Sequence, residues 1–148
     1  MPSNTNETWG PDGRKAVVVP WTVDECKDAI NAERDARIAA GMAYGGVIIQ
    51  TDESSLANIA AMALAALVAK GAGAKAGDLL WTGSGSPFGW IAADNEILAL
   101  DVDGMIAMGQ AAQRHKAAII FKAREIKSAI EGMTTKQRGA ADLSAMWG

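Results

Sequence analysis

The chain predicts an α+β domain: three helices with a small antiparallel sheet of two to four strands, the last helix being long. Three observations carry that prediction. From Met105 to Met133 the residues Met105, Met108, Ala112, His115, Ile119, Ala123, Ile126 and Ile130 recur every three or four positions, the period of an amphipathic helix with one buried face. Two earlier stretches, Val23 to Ala40 and Glu53 to Lys70, are each preceded by a capping residue and closed by a glycine, which brackets a helix at both ends. Short β-prone runs lie at residues 46–50 and around 88–100, bounded by Gly, Asp and Asn, and these supply the sheet.

In chain order, residues 1–20 read as an extended docking arm. They are polar, carry Pro2, Gly10, Pro11 and Gly13, and show no helical period. Lys15 to Val19 is β-prone and Pro20 closes it, which suits an edge strand. Thr22 and Glu25 have capping-box spacing, with Trp21 and Cys26 as a hydrophobic staple. The first helix then runs to Ala40 and stops at Gly41. Tyr44 to Gln50 is expected as one strand reached through Gly45-Gly46, its Val47-Ile48-Ile49 run buried on both faces.

Asp52 caps the second helix, which ends at Gly71. That helix is apolar nearly all round (Leu56, Ile59, Met62, Leu64, Leu67, Val68), so it is expected at the centre of the core or under a second subunit. Residues 71–89 are loop-like, with one short strand expected over Leu79 to Thr82 and GSGSPFG as a hairpin turn or an exposed loop. Asp94-Asn95 makes a turn, Glu96 to Leu100 a strand, and Asp101 the N-cap of the long helix ending at Gly132. The domain thus spans residues 21–132, leaving 133–148 as a C-terminal tail in which Ala140 to Trp147 offers one or two helical turns.

Composition narrows the function. One domain is expected for 148 residues. A net charge of −3 argues against nucleic acid as the main partner. A single cysteine excludes an intramolecular disulfide and a cysteine-based zinc cluster. The apolar runs read as too short for the ~20 residues a bilayer span needs, so no membrane insertion is expected. The N-terminal residues lack a basic-then-apolar signal pattern, which predicts folding in a cytoplasm.

No catalytic, cofactor or metal site is expected. His115 is the one histidine and lies on the apolar stripe; zinc needs three or four protein ligands, so a structural role is the better account. Cys26 reads as a small buried hydrophobe. Asp52-Glu53 and Asp101-Asp103 are explained by helix starts, and Asp94 by its turn. Residues 71–77 lack Gly-Lys-Ser/Thr and follow a helix, which fails the context of a phosphate loop. Arg114, Lys116, Lys122, Arg124 and Lys127 are interleaved with Glu125 and Glu131 and read as a solvated or partner-facing surface. The five tryptophans are the odd feature. Trp9 and Trp147 sit in arms with little apolar neighbourhood, the setting of interface anchors; the competing reading is that both ends fold back on the domain. Trp9, Val17, Val18, Val19 and Trp147 are therefore the partner-binding candidates, and Ile119 and Ile126 the candidates for an oligomer interface.

The ordered set Trp90, Asp94, Asn95, Leu100, His115, Ala123, Arg124, Lys127 and Ile130 resembles an uncharacterised domain family of tailed bacteriophages and prophages, encoded near tail-fibre genes. Gly45-Gly46-Val47, Thr51 to Ser55 and Ile59 are similar to the first strand and second helix of that family. The likeness spans Asp24 to Gly132 and implies a context without a catalytic residue. On it, the chain is expected to be a virion structural protein of the tail, at the baseplate, neck or fibre attachment. It would bind other phage tail proteins and form a homo-oligomer, passing through the host cytoplasm before assembly. The alternative is a tail-fibre assembly chaperone that is not retained in the virion. A third reading is a small hydrolase using Asp94 or His115.

Overall fold

In the computed structural model, residues 5–9, 11–13 and 15–148 are described. The order is β1 (Thr5–Trp9), β2 (Lys15–Pro20), α1 (Val23–Ala39), β3 (Met42–Tyr44), β4 (Val47–Ile49), α2 (Glu53–Gly71), β5 (Gly89–Ile91), β6 (Ile97–Ala99), α3 (Val102–Glu131), α4 (Thr135–Ala140) and α5 (Leu143–Met146). The three helices expected from periodicity are α1, α2 and α3, and the strands form antiparallel pairs, β1–β2, β3–β4 and β5–β6. The class is α+β as predicted. Contacts divide the chain into two units, one of residues 37–118 and one of 1–36 with 119–148.

In the unit of residues 37–118, one turn differs from the expectation. Gly45 and Gly46 do not lead into a strand; they turn β3 into β4. Their φ angles of 58° and 82° are the pair of positive values that a type I′ hairpin turn requires. The pairing is Met42 with Ile49, Ala43 with Ile48 and Tyr44 with Val47. Gly41, which ends α1, has φ +83° and no room for a side chain: a Cβ there would lie 2.6 Å from the Ile49 carbonyl oxygen. Thr51 is fully buried and its hydroxyl donates to the Ile38 carbonyl at 2.6 Å, meeting the cost of burying a polar group.

The second hairpin turns at Asp94-Asn95 as expected. Asn95 takes φ 70°, and the Asp94 carboxylate accepts the Glu96 N–H at 3.1 Å. The two hairpins are joined by the Ala93 N–H, which donates to the Ile48 carbonyl at 2.9 Å. Leu79 to Thr82, expected as a strand, forms turns instead. The reason is Trp81: its indole N–H donates to the Leu100 carbonyl at 2.9 Å, and its ring meets Phe88 edge-on at 4.8 Å. These contacts fold the segment over the core, which holds Ile49, Leu56, Ile59, Met105, Met108 and Ala112. Asp101 caps α3, accepting the Gly104 N–H at 2.7 Å on one oxygen and the Gly77 N–H at 2.6 Å on the other.

In the other unit, β2 pairs with β1, so the first residues form a hairpin rather than a single extended arm. The capping box of α1 is present: Thr22 N–H to Glu25 at 2.8 Å, and Glu25 N–H to the Thr22 hydroxyl at 3.2 Å. The C-terminal residues, expected as a tail, belong to this unit's core. Thr134 and Gln137 make a second capping box that starts α4. Arg138 donates through Nε to the Trp21 carbonyl at 2.8 Å, and Gly139 approaches the Pro20 ring so closely that a Cβ would lie 2.9 Å from it. Leu143 and Trp147 pack with Cys26, Ile30, Ala123, Ile126 and Ile130.

Candidate interaction surface

The surface of interest begins with the composition of α2. Between Glu53 and Lys70 it carries no ionisable residue. Its start is fixed by Asp52, whose carboxylate accepts the Ser55 N–H at 3.0 Å and the hydroxyls of Ser54 and Ser55 at 2.9 and 2.7 Å. Those bonds, led by the Ser55 hydroxyl, lower its pKa to about 2. Leu56, Ile59 and Ala66 are its buried residues. Of the two expectations for so apolar a helix, the centre of the core or cover by a second subunit, the first is not met: Leu64 is 62% exposed, Leu67 56% and Val68 66%. With Ala57, Ala60 and Ala61, also exposed, they form one continuous stripe at helical spacing.

α3 runs antiparallel beside this stripe. The Lys70 ammonium meets the Asp103 carboxylate at 2.7 Å at one end. Further along, Gly109 lets the helices touch: a Cβ at that position would lie 2.7 Å from the Ala63 Cβ. The close approach leaves an open groove of about 560 Å³ lined by Ala60, Leu64, Leu67, Ile106, Gln110 and Arg114. On the other flank of α2, Met62, Ala65, Val68 and Trp81 line a smaller depression of about 310 Å³. The stripe therefore stands between two recesses with almost no charge in it. By length and composition α2, at 19 residues and with a mean hydropathy of 1.4 over an 18-residue window, is the one helix among the described residues that reaches what a membrane crossing needs. This corrects the expectation that every apolar run is too short for a bilayer span. Large apolar side chains are exposed elsewhere too: Ile91 and Ile97, paired across β5–β6, and Phe121 on α3.

The sequence candidates fall as follows. The side chains of Trp9, Val17 and Val18 lie outside the described residues, and Val19 is 45% exposed. Trp147 is buried at 7% exposure, so the end of the chain folds back and the ring fills its own unit's core instead of being offered to a partner. Ile126 is 2% exposed and Ile119 packs against the same cluster; both face inward because they lie on the apolar stripe of α3. The side chains that α3 offers outward are their neighbours Ile120 and Phe121. His115 is half-buried, with Nε2 shielded from solvent and without a hydrogen-bond partner among the described residues. Cys26 is buried, which pushes its thiol pKa up against the opposing charge of Arg138. Asp101 is held below the usual carboxylate range by the N–H groups of Gly77 and Gly104. Among the described residues, no three His, Cys, Asp or Glu side chains converge as a metal site would require. Sequence reasoning missed Leu64, Leu67 and Val68 as functional residues; the uncharged run of α2 was visible, but its exposed side was not.

Residues 24–145 match the family described as a domain of unknown function (DUF4376), and the chain belongs to it. No curated protein and no solved structure matches the chain.

Proposed function

We propose that this protein works by protein–protein binding, as a structural component of a phage tail, and that the α2 stripe with its α3 flank is the binding face. One observation carries the binding reading. A helix with three large aliphatic side chains more than half exposed leaves a contiguous apolar patch of the kind that marks interaction sites on soluble proteins. The recesses on either side of it allow a partner's side chains to interlock with the helix. The phage-tail context rests on the sequence resemblance built on Trp90, Asp94, Asn95 and the long helix, and on that reading the partners are other tail proteins at the baseplate, neck or fibre attachment. A tail-fibre assembly chaperone uses the same kind of surface but leaves before the particle is complete.

The test is the composition of purified particles from the element that encodes the chain. Mass spectrometry finds the protein in fixed stoichiometry with the other tail proteins if the structural reading holds. Its presence in assembling lysates and absence from finished particles assigns the chaperone role instead.

A further inference from the structure

We infer that the occupant of the α2 face is a second copy of this chain, its α2 lying antiparallel to the first across a twofold axis near residue 62. The inference rests on the binding reading above and names the partner. Ala57, Ala60, Leu64, Leu67 and Gly71 are spaced three, four, three and four residues apart, the seam spacing with which two helices interlock. The seam is uneven: its first half is small and its second half large. Laid antiparallel about residue 62, Ala57 comes opposite Leu67 and Ala60 opposite Leu64, so each large side chain of one copy meets a small one of the other. Laid parallel, alanine faces alanine over a void and leucine crowds leucine.

Charge selects the same arrangement. The acids of α2 are at its start, Asp52 and Glu53, and its one base is at its end, Lys70. An antiparallel pair brings each Glu53 to the level of the other copy's Lys70, and it sets the helix dipoles head to tail. Lys70 already contacts Asp103, but an ammonium has three donors and can bridge two carboxylates. Arg114, exposed on the groove wall, faces the C-terminal end of the second helix, where a cation is favoured.

The area suffices. A helix of this length is ~28 Å long, and with α3 packed 8–10 Å away the face is roughly 20 Å across, about 560 Å² per copy. The ~1,100 Å² total is at the low end of specific interfaces. A membrane fits the face less well, because Leu56, Ile59 and Ala66 tie α2 into a folded core.

The experiment uses the full chain. Sedimentation at ~100 µM, chosen because interfaces of this size are weak, is expected to give twice the 15.4 kDa chain mass. Leu64→Glu halves it without changing the circular dichroism spectrum. Orientation is read by disulfide trapping: a mixture of Ala57→Cys and Leu67→Cys chains cross-links, whereas Ala57→Cys alone does not. The native Cys26 is fully buried and stays out of the reaction. A monomer at that concentration, cross-linking of Ala57→Cys to itself, or a monomer that binds phosphatidylcholine vesicles overturns the inference. A dimer that never enters particles refutes the tail reading and leaves the pairing standing. A monomer whose Leu64→Glu variant is still lost from particles does the reverse.

Discussion

Replacing Asp101 tests how the start of α3 and the loop before β5 are held together. The carboxylate accepts the Gly104 N–H with one oxygen at 2.7 Å and the Gly77 N–H with the other at 2.6 Å. Asp101→Ala removes a helix cap, typically ~1 kcal/mol, and a second hydrogen bond of about 1 kcal/mol, so a loss of roughly 2 kcal/mol is expected. Asp101→Asn keeps one acceptor oxygen and remains a good N-cap, so it loses about half as much. For a chain of this length, 2 kcal/mol lowers the melting temperature by roughly 4–8 °C. Urea titration followed by tryptophan fluorescence reads this loss, to which Trp81 contributes, its indole being bonded to Leu100, the neighbour of Asp101. The folded-state pKa of Asp101 is depressed. Its stabilisation is therefore present above the ordinary carboxylate pKa and lost as pH falls through the folded value. The gap between wild type and Asp101→Ala should accordingly be full at pH 6 and narrow on acidification. Equal losses for Ala and Asn, or a gap independent of pH, would refute the two-oxygen account.

Other substitutions separate core from surface. Trp147→Ala should cost about 3–5 kcal/mol as a large-to-small core change, seen as a lower denaturation midpoint; a value near zero would return that ring to the surface. Ile126→Asp buries a charge among Cys26, Ile30 and Trp147 and should abolish cooperative unfolding of its unit. Gly45→Val places a β-branched residue at φ 58° against Leu98 and should destabilise by more than 1 kcal/mol, read by thermal melting. Asp52, with its pKa lowered to about 2, stabilises fully above about pH 3.8 and loses that effect as pH falls towards 2. An Asp52→Ala chain should show a shallower acid limb in its melting-temperature profile.

Helix starts were legible because they depend on near neighbours. Thr22 with Glu25, Asp52 with Ser55 and Asp101 with Gly104 are all three residues apart, and the structure has each bond. The buried stripe of α3 was legible for the same reason: Met105, Met108, Ala112, Ala123, Ile126 and Ile130 all lie inside. Where two distant segments decide the outcome, the local pattern was insufficient. Gly45-Gly46 reads equally as a strand's start or its turn until Met42 is seen paired with Ile49. Trp81 sits in a β-prone run, yet its bond to Leu100, 19 residues away, folds that run into turns. Trp147 ends a segment too short to build a core of its own, yet in space it has apolar neighbours, among them Cys26 and Ile30. The interaction face had the weakest signal. Its lack of charge was plain, but periodicity cannot tell an enclosed apolar helix from one with a face left open, and only the exposure of Leu64, Leu67 and Val68 does so.

Under the proposed function, binding through the α2 face, by the second copy inferred above, is required for the protein to enter a phage particle. The most direct measurement is quantitative mass spectrometry of particles assembled with wild-type chain or with Leu64→Glu, a change at a residue already 62% exposed and so without cost to the core. Fixed stoichiometry is expected for the wild type and loss of the variant from particles, while the purified variant keeps its helicity. Incorporation of Leu64→Glu at the wild-type level would contradict it.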